Sequence, residues 1–186
     1  MPALPYPDPP LGDDVVVLRP WRAADVPGRF AAFDNPECLR FSWPLLEPFT
    51  QAHVAAGMRV EARLRAEGTD VHMAVADAAD PDGVLGGCSL YDVDPVKASA
   101  AVGYWLRPEA RGRGAASRTL RLLARWAFEA LDIRRLELTC GPDNTASQNV
   151  AERCGFTFEG LMRSHLPFRG ARRDTMLFSL LPGELT

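Results

Sequence analysis

The sequence has almost no lysine, no paired cysteines and no long apolar run, and each absence excludes a class of protein. Lys97 is the only lysine among 21 basic residues, so the GxxxxGK[ST] phosphate loop of nucleotide hydrolases is excluded. The four cysteines form no CxxC pair and match no zinc spacing, so we expect buried, inert thiols and no metal site. No stretch approaches the ~18 consecutive apolar residues of a membrane-spanning helix.

The composition is that of an ordinary globular domain. The formal net charge of −3 favours neither nucleic acid nor a membrane surface as a partner. The arginine bias suits phosphate recognition, but a GC-rich genome produces the same bias and is the favoured explanation. Residues 1–14 are rich in proline and lack a signal-peptide pattern, so we predict a flexible leader, a single domain over 15–186, and a cytoplasmic location.

The hydrophobic patterns predict a mixed α and β fold. Strand patterns occupy residues 15–21, 70–77, 84–94 and 98–106. Between the first two, we expect a short helical stretch that ends at Pro36, a loop over 41–49 that is broken by Pro44 and Pro48, and a helix from Thr50 to about Glu67. From 114 to 131 the apolar period changes to three and four residues, which predicts an amphipathic helix. A strand over 135–140, a second helix and two closing strands follow. The order predicts one sheet, in a single α+β or mixed α/β domain without repeats.

The junction between the strand at 98–106 and the following helix reads RPEARGRGAAS. Glycines let the backbone approach a ligand, and a helix start offers free N–H groups, so this junction predicts an anion site supplemented by Arg111 and Arg113. The dinucleotide fingerprint GxGxxG fails at Ser117. Taken alone, the segment is equally well explained as a flexible surface turn.

Two motifs together resemble the GNAT (GCN5-related N-acetyltransferase) superfamily. YWLRPEARGRGAA is similar to its motif A, Q/R-x-x-G-x-G/A, with Arg111, Gly114 and Ala116 at the defined positions. NTASQNVAERCGF is similar to its second signature, an Asn-led helix that ends in Gly-Phe. The resemblance covers residues 15–181 and is strongest to the branch of ribosomal-protein N-terminal acetyltransferases (RimJ/RimL-like).

The resemblance implies the GNAT fold, a single, mostly antiparallel sheet with a splay between two parallel strands, and acetyl-CoA as the cofactor. The donor is expected in that splay, its pantetheine arm beside the strand and its pyrophosphate at the motif A loop. The implied cofactor-binding residues are Trp105, Leu106, Arg111, Gly112, Arg113, Gly114, Ala115, Ala116, Asn144, Ser147 and Arg153. For Asn144, a role as helix cap is the alternative, and it is compatible with cofactor contact.

The catalytic residues depart from the family pattern. Many relatives carry a tyrosine acid four residues before the Gly-Phe pair, where this chain has Ala151. Ser147 then becomes the candidate that hydrogen-bonds the leaving sulfur, as in the ribosomal-protein branch. For the base, His165 lies in the late strand that by resemblance borders the acceptor pocket, and a water relay without a single base is an equal alternative. His72 is explained more simply as a structural histidine.

The predicted function is therefore acetyl transfer from acetyl-CoA to a primary amine by direct attack, with a protein N-terminus or a small molecule as acceptor. Phe41, Trp43 and Phe49 are candidates for the acceptor pocket, and ordinary core packing is their alternative. Succinyl-CoA or another donor, and a catalytically idle acyl-CoA-binding module, remain as alternative functions. We expect a monomer or a homodimer.

Overall fold

The computed structural model describes residues 2–186, and its elements follow the predicted order. The strands are β1 (Leu11–Gly12), β2 (Val16–Pro20), β3 (Val71–Asp77), β4 (Val84–Asp94), β5 (Ser99–Leu106), β6 (Arg135–Cys140), β7 (Thr157–Phe168) and β8 (Ala171–Leu180). The helices are α1 (Val26–Phe33), α2 (Pro36–Ser42), α3 (Gln51–Glu67), α4 (Ala115–Ala130) and α5 (Thr145–Arg153).

The eight strands form one sheet in the order β1-β2-β3-β4-β5-β6-β8-β7. Every neighbouring pair is antiparallel except β5 and β6, which run parallel. This arrangement confirms the predicted α+β class and the mixed, mostly antiparallel sheet.

The parallel pair is short, and its end is where the sheet opens. Pairing runs only from Ser99↔Arg135 to Ala101↔Glu137, after which β5 continues along β4 and β6 continues along β8. Beyond Ala101, the edge of β5 that faces β6 therefore has no neighbouring strand. This confirms the predicted splay between two parallel strands.

Helix α4 covers one face of the sheet, as its sequence period predicted. Leu120, Leu123 and Ala127 are buried on it, and they belong to one apolar core with sheet residues such as Leu90 and Leu136. Burying a leucine side chain contributes about 1.5–3 kcal/mol, so this seam fixes α4 and the loop that precedes it.

Helix α2 corrects one sequence prediction. Pro36 was expected to mark the end of the preceding helix, and residues 41–49 were expected to be loop. Instead Pro36 begins α2, and the Asn35 side chain caps it by accepting a hydrogen bond from the Cys38 N–H at 3.1 Å. Proline suits the first helical turn because the N–H that it lacks would have no intrahelical acceptor there. The helix places Phe41 at its last turn.

The leader makes specific contacts with the rest of the fold. Leu4 donates its N–H to the carbonyl of Arg65 at 3.0 Å, and the Arg65 guanidinium lies 4.7 Å from the ring centre of Tyr6. Leu11–Gly12 pairs with β2. These contacts argue against free mobility over residues 2–14, and the flexibility predicted from composition stays a prediction that hydrogen exchange can test.

Candidate active site

The loop between β5 and α4 forms an open cradle of backbone groups. Gly112 and Gly114 have φ angles of 71° and 79°, which favour glycine. A Cβ added at either glycine would meet no atom of residues 2–186 within 4 Å. Within the same described residues, no side chain caps the start of α4 at Ala115. The free N–H groups and the helix dipole therefore face open space that an anion can fill.

Arg111 braces this loop. Its guanidinium donates to the carbonyl of Leu106 at 2.8 and 3.1 Å and to the Asn35 side chain at 3.2 Å, and it pairs with Glu37. Asn35 caps α2 and Glu37 lies in its first turn. The Arg111 side chain thus ties the cradle to α2, and most of its donors are already occupied by protein groups.

A cavity of about 450 Å³ extends from the cradle along β5 to α5. Of the residues predicted to bind cofactor, all except Arg113 line it within the described chain. These are Trp105, Leu106, Arg111, Gly112, Gly114, Ala115, Ala116, Asn144, Ser147 and Arg153. Arg113 is exposed, and its contribution to cofactor binding stays a prediction.

The start of α5 carries the polar groups of this cavity. The Asn144 side chain accepts a hydrogen bond from the N–H of Ser147 at 3.1 Å, so Asn144 is the helix cap. The hydroxyl of Tyr104, on β5, donates to the Ser147 Oγ at 3.3 Å. Burial raises the pKa of Tyr104 to about 12, so the phenol stays protonated.

Tyr104 is the functional candidate that the sequence analysis missed. The α5 position at which many relatives carry a tyrosine holds Ala151, which is fully buried. Tyr104 brings a phenol to the same helix from β5. The sequence signal for a functional role of Tyr104 was its position directly before Trp105, in the strand that leads into the motif A loop.

A second cavity, of about 490 Å³, lies on the other side of the contact between Tyr104 and Ser147. The two cavities share six lining residues: Phe41, Ser42, Tyr104, Trp105, Asn144 and Ser147. The three residues predicted for the acceptor pocket, Phe41, Trp43 and Phe49, all line the second cavity. The two cavities therefore meet where Tyr104 contacts Ser147.

Aromatic rings form much of the second cavity's wall. The rings of Trp21 and Trp105 are nearly parallel, with centres 6.4 Å apart, and Phe33 meets Trp105 edge-on at 5.1 Å. Both tryptophans lie over Gly87, where an added Cβ would fall 2.7 Å from the Trp105 Nε1 and 3.0 Å from Trp21. A glycine at this place in β4 is therefore needed for the rings to lie as they do.

A charged cluster lines the same cavity. Glu61 on α3 accepts two hydrogen bonds from the Arg29 guanidinium, at 2.6 and 2.8 Å. Burial raises the pKa of Glu61, but the hydrogen bonds and charge of Arg29 outweigh it and leave the pKa below its usual value. Glu61 is therefore ionised at neutral pH. His72 of β3 lies beside it.

A model of the acetyltransferase (GNAT) domain matches residues 16–157, more than half of the chain. The chain belongs to this family. YdaF of Bacillus subtilis, provisionally named a ribosomal N-acetyltransferase, is 38% identical over 104 residues, which are 55% of this chain and 57% of YdaF. The ribosomal-protein-serine acetyltransferase of Escherichia coli is 31% identical over 98 residues, which are 53% of this chain and 55% of that protein. The chain therefore aligns with little more than half the length of these two relatives.

Among solved structures, Mycobacterium smegmatis RimJ in complex with CoA-disulfide is 26% identical. That match covers 95% of this chain and 87% of RimJ, with a TM-score of 0.81. GNAT domains use acetyl-CoA, and the open cradle at Gly112 and Gly114 fits a pyrophosphate group. The chain is accordingly a member of the GNAT acetyltransferase family, with RimJ among its structural neighbours.

His165 lies elsewhere in this GNAT domain. It is half-buried on β7, and its Nδ1 is 2.7 Å from the Thr175 Oγ1 of β8. Within residues 2–186, its neighbour Leu166 lines the second cavity but His165 lines neither. Its role as catalytic base stays a prediction that this position does not favour.

The cysteines of the GNAT domain are free and buried. Cys38 lines the first cavity, Cys88 the second, and Cys140 lies at the end of β6 in the second. Burial raises the pKa of all three thiols, that of Cys88 to about 12. The thiols therefore stay protonated and are poor nucleophiles.

No helix within residues 2–186 has the length and apolar character needed to cross a bilayer. The cytoplasmic location and the absence of a nucleic-acid partner stay predictions.

Proposed function

We propose that this GNAT enzyme transfers the acetyl group of acetyl-CoA to a primary amine of a small molecule or a protein N-terminus. The meeting of the two cavities at the Tyr104–Ser147 contact supports this most directly. One cavity begins at a cradle suited to phosphate, and the other is walled by aromatic rings. A donor and an acceptor can therefore reach one point from opposite sides.

The chain's own groups hold the donor in this proposal. The N–H groups of 112–116 bind the pyrophosphate, because they are free and face open space. Beyond Ala101, β5 has no neighbouring strand on the side of β6, so its edge is open to the pantetheine arm as it would be to an added strand, although the Leu106 carbonyl there already accepts from Arg111. Acetyl-CoA supplies the acetyl group when bound. Arg153 lines the same cavity and is available to a phosphate.

Ser147 and Tyr104 serve the leaving sulfur. Asn144 fixes the first turn of α5 and therefore the position of Ser147. The Ser147 Oγ donates to the sulfur while it accepts from the Tyr104 hydroxyl at 3.3 Å. The serine alone is a weak acid, and the phenol behind it polarises its hydroxyl. The pair stabilises negative charge on the sulfur, and the Ser147 hydroxyl relays to it a proton from the attacking amine.

Direct attack by the amine follows from the state of the thiols. An acyl-enzyme needs a nucleophile at the junction, and the three cysteines that line the cavities have raised pKa values. They stay protonated at neutral pH, so we propose that the amine attacks the thioester without a covalent enzyme intermediate.

The test is thiol release from acetyl-CoA across a panel of amines: a seryl tetrapeptide, spermidine, an aminoglycoside and phenethylamine. We expect release that depends on one class of amine. Ser147→Ala should lower kcat about 10- to 100-fold, because a hydrogen bond to a charged atom contributes about 1.5–3 kcal/mol. Ser99→Ala, a serine on β5 outside both cavities, is the matched control. His165→Ala tests the predicted base.

If no amine of the panel stimulates thiol release from acetyl-CoA, the same assay is carried out with succinyl-CoA. Release with succinyl-CoA alone would change the proposed donor. If acetyl-CoA binds but neither donor is used with any amine, the proposed transferase function is wrong and the catalytically idle module is favoured.

A further inference from the structure

His72 lies between two carboxylates on the floor of the second cavity. Its Nε2 is 3.3 Å from the Oδ2 of Asp70, the residue just before β3, and its Nδ1 is 3.7 Å from the Glu61 Oε1 on α3. With the hydrogen on Nε2 directed toward Asp70, the lone pair of Nδ1 is left free to accept a proton. Glu61 then stabilises the imidazolium that forms.

The surrounding groups hold this geometry. Arg29 on α1 binds both oxygens of Glu61 and fixes its carboxylate. Asp70 is buried behind His72. On β4, the residues that line the cavity near His72 are uncharged at neutral pH: Ser89, directly opposite, and Tyr91, whose pKa is raised by burial. The cluster of Asp70, Glu61 and Arg29 carries one net negative charge, which attracts an ammonium ion.

The strand register connects His72 to the junction of the two cavities. His72 pairs with Ser89 of β4, and Ser89 pairs with Gly103 of β5, directly before Tyr104. Adjacent strands lie ~4.8 Å apart, so this path crosses about 10 Å. A serine and a glycine form its floor, and all of these residues line the second cavity. A small amine, or an amine and one water, can therefore span it.

We propose that His72 is the proton acceptor for the amine, with Asp70 and Glu61 as positioning residues. The inference rests on the proposed function. An amine near pKa ~10 enters as an ammonium ion, which has no free lone pair. It gives one proton to the His72 Nδ1, which later releases it to solvent. As the new N–C bond forms and the thioester C–S bond breaks, the Ser147 hydroxyl gives its proton to the departing sulfur and takes the amine's second proton in exchange.

The test compares His72→Gln with His165→Gln, the matched histidine outside both cavities, with each amine of the panel that the wild type acetylates. We expect His72→Gln to lower kcat/KM about 100-fold at pH 7, within the ~10²–10⁴-fold range of general base catalysis. The loss should shrink above pH 9, where more of the amine is uncharged in solution. Hydroxylamine, already uncharged at pH 7, should be acetylated at nearly the wild-type rate.

A uniform loss at all pH values and with hydroxylamine would show a structural role and overturn the proposal, and so would wild-type kinetics in His72→Gln. Asp70→Asn should give a smaller loss with the same alkaline recovery. A wild type that acetylates no amine at all would refute the proposed function itself, so the two failures are distinguishable.

A binding measurement gives a readout that needs no turnover. The chain has three histidines, so its NMR spectrum has one set of ring C–H signals for each of three imidazoles. The His72→Gln spectrum identifies the set of His72, and the His165→Gln spectrum that of His165. Adding phenethylamine or spermidine to the free protein should shift the His72 signal, while the His165 signal stays in place. A His72 signal that no panel amine moves would contradict the proposal.

Discussion

Replacing Tyr104 by phenylalanine removes one hydroxyl at the junction of the two cavities and leaves the ring in place. The phenol has a pKa of about 12, whereas an ordinary thiol has ~8.5, so full proton transfer from Tyr104 to the sulfur is uphill by ~3.5 units or about 5 kcal/mol. Tyr104 therefore acts as a hydrogen-bond donor behind Ser147 and is not itself the acid.

This role sets the size of the effect. A hydrogen bond that supports a charged atom contributes about 1.5–3 kcal/mol, so Tyr104→Phe should lower kcat about 10- to 100-fold. The KM for acetyl-CoA should change little, because the hydroxyl contacts Ser147 and not the cradle. Since the two groups act in series, the double variant with Ser147→Ala should lose little more than the larger single loss.

The assay is thiol release at saturating donor, with Tyr91→Phe as the matched control. Tyr91, on β4, is a second half-buried tyrosine that lines the second cavity. A Tyr104→Phe enzyme with kcat within twofold of wild type, or single losses that multiply in the double variant, would refute the argument that the pair acts as one unit.

Three further predictions concern other parts of the fold. Gly87→Ala should displace Trp105, because the added Cβ falls 2.7 Å from its Nε1. We expect a raised KM for the amine and, because Trp105 also lines the first cavity, a smaller rise in the dissociation constant for acetyl-CoA, measured by kinetics and calorimetry. Gly114→Ala should weaken acetyl-CoA binding and cost about 1–2 kcal/mol of stability, since φ there is 79°; calorimetry and urea unfolding check both. Asp25 accepts two hydrogen bonds from buried Arg19, and although burial raises its pKa, these bonds leave it below the usual value. The contribution of ionised Asp25 to the free energy of unfolding is therefore present above pH ~4 and is lost as the pH falls through the folded pKa. Asp25→Asn should cost about 3–5 kcal/mol at pH 7 and progressively less below pH 4. Urea unfolding measures both, and equal losses at pH 7 and pH 3 would contradict the argument.

The fold and the donor half of the site were accessible from sequence because their signals are local. The helical period of α4, the two glycines of the loop at 111–116 and the cap residue of α5 each lie within a short segment. Their geometry therefore follows from neighbouring residues. The start of α2 at Pro36 was missed because proline was interpreted only as a helix end.

The acceptor half depends on contacts between distant segments. Tyr104 meets Ser147 across 43 positions, and Glu61 meets His72 from another element. No local pattern distinguishes His72 from an ordinary strand histidine, and its two carboxylate neighbours are visible only after the sheet register and the packing of α3 are known.

The shortness of the β5–β6 pairing has a consequence for how the molecule unfolds. Three residue pairs, from Ser99↔Arg135 to Ala101↔Glu137, join a five-stranded part of the sheet to a three-stranded part. An acetyl-CoA molecule lying along the free edge of β5 would bridge the two parts. Local opening of one part would then require release of the ligand, so donor occupancy sets how cooperatively the two parts of the sheet unfold.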